Sequence, residues 1–118
     1  MPSLAKVLRI SLRAAGFDVA EAAAGGQALE ILDRGPTDAV VVDPGLPDGL
    51  GRTVLDRLRQ AGDHGFAAWV VVSELDPEEV TRRYGPLGGH YLGMPFDPWY
   101  LAGMLKTFLS EKNGGGQR

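Results

Sequence analysis

The sequence predicts an α/β domain built on a mostly parallel sheet, and three observations carry that expectation. Short valine-rich runs, Ala39-Val-Val-Val42 and Ala67-Ala-Trp-Val-Val-Val-Ser73, alternate with stretches whose apolar residues recur every three or four positions. Strand and helix alternation of this kind means a parallel sheet covered by helices on both faces. The first run ends in Asp43 and passes directly into Pro44-Gly-Leu-Pro-Asp-Gly-Leu-Gly51, the Pro/Gly-rich exit expected of a buried parallel strand. Finally, 118 residues, 44% of them hydrophobic, suffice for one domain with a real core.

Taken in order, Leu4, Val7, Leu8, Ser11, Leu12 and Ala15 form the stripe of an amphipathic helix, and Gly16 supplies its C-cap. Phe17-Asp-Val-Ala-Glu-Ala22 alternates apolar with polar residues and reads as an edge-like strand. A short helix is expected over Gly25–Leu32, with Ala28, Leu29 and Leu32 inward and Gly35-Pro36 closing it. The strand ending at Asp43 follows, then a helix from Arg52 to Ala61 with Val54, Leu55 and Leu58 inward. Ala67–Ser73 is the second buried strand. Asp76-Pro77-Glu78-Glu79 opens a helix with an N-cap, a first-turn proline and acids matched to the positive end of the helix dipole. His90–Leu92 is a short strand, and Asp97-Pro98 starts a last helix whose stripe is Leu101, Met104, Leu105, Phe108 and Leu109. The expected domain covers residues 1–112, with 113–118 a polar, Gly-rich tail.

Composition removes several function classes. With no cysteine there is no disulfide framework, thiol nucleophile or thiolate metal site, which suits a reducing cytoplasm. No apolar run is long enough to span a bilayer, and Met1-Pro2-Ser3 opens no signal sequence. A net charge of −3 with dispersed Lys and Arg argues against nucleic acid as a partner. Arg82-Arg83 is the one adjacent basic pair and reads as a solvated helix face. Gly25-Gly26 and Gly88-Gly89 lack the spacing of a phosphate-binding loop. His64 and His90 have no ligand-like neighbours in sequence, so no metal site is expected from them.

Asp43, with Pro47 and Gly51 following it in the loop, Ser73 ending the next buried strand, Tyr91, and Met94-Pro95-Phe96 stand in a joint spacing that resembles the receiver domain of two-component response regulators. The resemblance runs from the first helix to the last. It implies a flavodoxin-like, doubly wound sheet of order 2-1-3-4-5 and a phosphorelay role. It also implies Asp43 as phospho-acceptor candidate and Ser73, Tyr91 and Met94 at switch-like positions.

Two departures set the functional expectation. In the family, an initial strand ends in two acids that hold Mg²⁺ beside the acceptor; this chain opens at the helix that would follow them. Met94 stands where the family has a Lys. Phosphoryl transfer to a carboxylate relies on cationic charge at the transferring oxygens. A lone Asp43 is at best a weak metal candidate, and a thioether brings no charge. Four strands are therefore expected. The gap is closed by direct pairing of the Phe17 strand with the Asp43 strand, by a second molecule, or not closed at all in a marginally folded chain. Asp48 reads either as a turn residue or as a substitute metal ligand, and Glu74 adds negative charge near the mouth.

On the last helix, Trp99 lies roughly opposite Leu101 and Tyr100 lies at the flank, an aromatic pair suited to an interface with Tyr91. The expected function is that of a stand-alone pseudo-receiver, cytoplasmic and not an enzyme. It needs no cofactor and acts through protein–protein contact or as a homodimer, independently of phosphorylation. The alternative is a working receiver phosphorylated on Asp43 by a histidine kinase with Mg²⁺. A third reading is a structural partner that occupies another regulator's dimer face.

Overall fold

The computed structural model describes residues 4–61 and 68–114. Along the chain lie α1 (Leu4–Ala14), α2 (Gly25–Arg34), β1 (Ala39–Val42), α3 (Gly51–Ala61), β2 (Ala68–Ser73), α4 (Pro77–Tyr84), β3 (His90–Gly93) and α5 (Pro98–Gly114). These elements fall into two compact units, Ala22–Pro95 and the pairing of Met1–Glu21 with Phe96–Arg118.

The unit Ala22–Pro95 is built on a parallel sheet of order β1-β2-β3. Val40 pairs with Trp69 and Val42 with Val71, while Val71 pairs with Tyr91 and Ser73 with Gly93. Strand side chains alternate between faces, so Val42, Trp69 and Val71 turn to one side. There they join Leu32 of α2, Val54, Leu55 and Leu58 of α3 and Val80 of α4 in one buried cluster. Each fully buried Val or Leu of this kind contributes roughly 1.5–3 kcal/mol. Val70 and Val72, of opposite parity, are also buried, which is why the run reads as continuous valine rather than as an alternating strand.

The second unit contains α1 and α5, which pack on each other. Among its described residues Leu12, Leu101, Ala102 and Leu105 are buried; Leu12, Leu101 and Leu105 belong to the two sequence stripes, and Ala102 does not. α1 ends in a Schellman arrangement: Phe17 N–H donates to the Leu12 carbonyl (3.0 Å) and Gly16 N–H to the Arg13 carbonyl (3.0 Å). Gly16 has φ +99°, the left-handed conformation that this ending requires.

One expectation is corrected here. Phe17–Ala22 forms no strand, and the described sheet has three strands rather than four, with β1 at its edge. Direct closure of Phe17–Ala22 onto β1 therefore does not occur. The segment bonds instead to side chains of α1: Arg9 pairs with Glu21 at 2.7 Å, and Arg13 donates to the Val19 carbonyl at 3.4 Å. Its alternation spans only six residues, four of them Ala, Asp or Glu with little preference for strands. The Schellman turn already directs the chain back along the helix. α5 runs through Gly114, past the boundary expected at residue 112. Residues 115–118, together with His64 and Ala67, lie outside the described residues. None of the described helices is long and apolar enough to cross a membrane.

Candidate functional site

Three parallel strands in register end on one side of the sheet, and this edge gathers four of the residues singled out in the sequence. Asp43 follows β1, Ser73 closes β2, Tyr91 lies within β3 and Met94 follows it. In open α/β sheets that edge is where ligands bind and chemistry is done.

Asp43 is exposed, and its Oδ1 accepts a hydrogen bond from the Gly45 N–H at 2.9 Å. The turn so formed starts the loop that returns to α3. That return is tight: a Cβ placed on Gly51 would lie 1.7 Å from the Pro44 carbonyl oxygen, so only glycine fits at the first position of α3.

Asp48, farther along the loop, has a role that neither of its two sequence readings named. Its Oδ1 accepts from Gly25 N–H at 3.0 Å and from Leu50 N–H at 3.3 Å, and its Oδ2 accepts from Gly26 N–H at 2.9 Å. The carboxylate thus caps the first turn of α2, whose own N-cap residue, Ala24, has no side chain to do so. The Gly26 N–H holds the Asp48 carboxyl below its ordinary range; desolvation opposes it, and the N–H groups of Gly25 and Leu50 add to the lowering. Both oxygens are engaged by amides of α2 and of its own loop. Sequence inspection misses this role because the partner is remote. The available signal is Ala24-Gly25-Gly26, a helix start without a cap of its own.

Ser73 and Tyr91 converge on one residue. The Ser73 side chain is only 4% exposed, and its Oγ accepts from Leu75 N–H at 3.0 Å. The Tyr91 hydroxyl donates to the Leu75 carbonyl. Both polar groups of that peptide segment are satisfied by side chains from two different strands. Tyr91 is half-buried against the core, so its ring and hydroxyl are engaged inside this unit. Met94 N–H donates to the Ser73 carbonyl at 2.8 Å, extending the β2–β3 ladder by one bond. The half-buried Met94 side chain brings a neutral thioether to this edge. Glu74 is exposed. Among the described residues, no group of three or more His, Cys, Asp or Glu is assembled that could hold a metal ion.

Trp99 and Tyr100 belong to the other unit. They are 57% and 60% exposed, and Trp99 N–H donates to Asp97 Oδ1 at 2.9 Å as α5 begins. Leu101 beside them is fully buried, so the helix divides its faces as the stripe implies.

The profile of the response regulator receiver domain matches residues 1–101. The DNA-binding response regulator MtrA of Mycolicibacterium smegmatis is 32% identical over 108 residues, 92% of this chain and 46% of that protein. The transcriptional regulatory protein KdpE of Mycobacterium tuberculosis is 41% identical over 58 residues, 49% of this chain and 26% of that protein. The chain thus spans less than half the length of these curated relatives. A crystal structure of a response regulator from Burkholderia pseudomallei, with a phosphorylated aspartic acid, calcium ion and citrate, superposes with a TM-score of 0.71. It has 19% identity, covering 95% of this chain and 65% of that one; at that identity the likeness is one of fold. The chain belongs to the response regulator receiver domain family.

Proposed function

We propose that this receiver domain is a signalling module that works by protein–protein contact and whose state is not set by phosphorylation of Asp43. Met94 carries the reading. An acceptor carboxylate and an incoming phosphoryl group are both anionic, and their approach needs a cation at the transferring oxygens. The side chain at Met94 cannot provide one. Nor do the described residues fit a Mg²⁺ ion: Asp43 stands with no assembled group of acids, and both Asp48 oxygens are taken by α2. In this proposal the domain is a non-enzymatic, cytoplasmic binding module.

The alternative, a receiver phosphorylated by a histidine kinase, has one observation in its favour: Asp43 is exposed at the carboxyl edge of the sheet. Treatment with an acyl phosphate and Mg²⁺ followed by intact mass separates the two. The expected result is no stoichiometric mass gain, and Met94→Lys alone restores none. A gain that disappears in Asp43→Asn overturns the reading.

The partner in this proposal is a second receiver-type domain, its own copy included, seated on Trp99 and Tyr100. An aromatic anchor in an interface is commonly worth about 2 kcal/mol, roughly thirty-fold in affinity. Trp99→Ala is therefore expected to weaken association by about that factor with the melt unchanged. Leu105→Ala lowers folding stability by about 2–5 kcal/mol. Sedimentation and thermal melts on both variants check this. An early melt of Trp99→Ala with unchanged association removes the interface.

A further inference from the structure

The C-terminal end of α4 is gripped by a side chain from α3. The Arg59 guanidinium donates through Nη1 to the Pro86 carbonyl and through Nη2 to the Tyr84 carbonyl at 3.3 Å, while the Asp56 carboxylate pairs with the same Nη2. Carbonyls at a helix C-terminus lack intrahelical donors and carry partial negative charge, so a fixed guanidinium satisfies both needs. Asp56, one turn earlier on α3, holds the fork in its orientation.

The segment that follows α4 is shaped around this arginine. Gly85 has φ +92°, and a Cβ there would lie 3.1 Å from Arg59 Nη2. A Cβ on Gly88 would lie 3.2 Å from Arg59 Cγ and 3.2 Å from Trp69 Cζ2. On Gly89 it would lie 2.6 Å from the Trp69 carbonyl oxygen. The backbone of Gly85–Gly89 therefore fits closely against Arg59 and Trp69 and has little room to shift while both stay in place.

Tyr84, whose carbonyl Arg59 holds, reaches in the other direction. Its hydroxyl is 3.9 Å from the position a Cβ on Gly45 would occupy, and the same position is 3.4 Å from Asp43 Oδ1. Gly45 is the residue whose N–H bonds the Asp43 carboxylate. A side chain at Gly45 would thus touch Tyr84, and Tyr84 and Leu46 of the same loop both pack against the buried core cluster, which brings the Arg59-held end of α4 and the loop after Asp43 onto common ground.

We propose that Arg59 is a latch: it fixes the C-terminal end of α4 and, through Tyr84, restrains the loop after Asp43, so that the two segments open together. The latch closes from within α3 and does not depend on whether Asp43 is modified. Anything that releases it, a partner acid competing for the guanidinium or a contact that pulls on Gly85–Gly89, loosens the Asp43 loop as well. By linkage, a ligand holding that loop tightens the end of α4.

Hydrogen–deuterium exchange on the whole chain tests this with two variants. Arg59→Lys keeps the charge and the aliphatic stem that lies against Gly88 but loses the planar fork. Its amides in Gly85–Gly89 are expected to exchange roughly tenfold faster, and those in Gly45–Leu50 severalfold faster, with Val70–Val72 unchanged. Tyr84→Leu, which removes the ring that packs with Leu46 against the same core, is expected to speed Gly45–Leu50 while Gly85–Gly89 keeps its protection. Unchanged exchange of Gly85–Gly89 in Arg59→Lys overturns the latch. A response of Gly85–Gly89 without Gly45–Leu50 overturns the coupling. Equal acceleration in all segments, β2 included, shows a purely global role for Arg59 and overturns both.

Discussion

Two helices of the sheet-bearing unit begin under an aspartate, and they do so in opposite ways. α4 is capped by its immediate predecessor: Asp76 accepts from Glu79 N–H at 2.9 Å, Pro77 takes the first position, and Glu78 and Glu79 sit in the first turn. α2 has none of these, and its first amides are met by Asp48, a residue from the far side of β1. A cap made within the helix stabilises that helix alone. A cap made from another segment ties the segment down as well, and here the segment is the loop that leaves Asp43. The remote arrangement also demands close approach: a Cβ on Gly25 would lie 2.6 Å from Leu50 Cβ.

Among changes at the two caps, the largest effect is expected from Gly25→Ala. Its methyl meets a backbone-anchored Cβ, so either α2 or the loop must move, and overpacking of this kind costs about 1–3 kcal/mol. A lowered thermal midpoint together with faster exchange in both α2 and Gly45–Leu50 is the expected outcome. An unperturbed melt removes the close approach from the comparison.

Asp76→Ala comes next, at about 0.5–2 kcal/mol for loss of an N-cap. Its exchange signature is confined to the first turn of α4. Asp48→Ala sharpens the contrast, since it is expected to speed exchange in two places at once, the start of α2 and its own loop. If it speeds only one of them, the remote cap does not join the two segments.

The smallest effect is that of acid. The folded Asp48 carboxyl titrates below its unfolded value, chiefly because of the Gly26 N–H. Its contribution to stability is present above the unfolded value of about 4, and disappears as pH falls through the lower folded value. The Gly25 and Gly26 amide resonances are expected to follow a transition below that of an ordinary Asp, and Asp48→Asn to abolish it.

The same distinction governs how much of the molecule is legible in its sequence. The Asp76 cap, the valine strands and the stripe of α5 are written in neighbouring residues, and each stands where spacing puts it. Asp43, Ser73 and Met94 reach one edge of the sheet because parallel strands share a direction, which alternation with helices already implies. Phe17–Ala22 misleads because period-two patterning says which faces differ, not whether a partner strand is there. The Asp48 cap and the Arg59 latch join residues more than twenty positions apart, and neither is encoded by any local pattern. Their trace is negative: a helix start without a cap, and glycines crowded after a helix end.

The glycine fit at Gly88 and Gly89 has a practical consequence for following this protein in solution. It lays backbone over the Trp69 indole, which is 8% exposed, whereas Trp99, the other of the chain's two tryptophans, is 57% exposed. The two fluorophores sit in different compact units, and they differ in access to water and to ionic quenchers. Trp69 therefore emits at shorter wavelength and reports on the sheet, and iodide-quenched emission at longer wavelength reports on α5. Each unit carries its own native optical probe, with no label to attach.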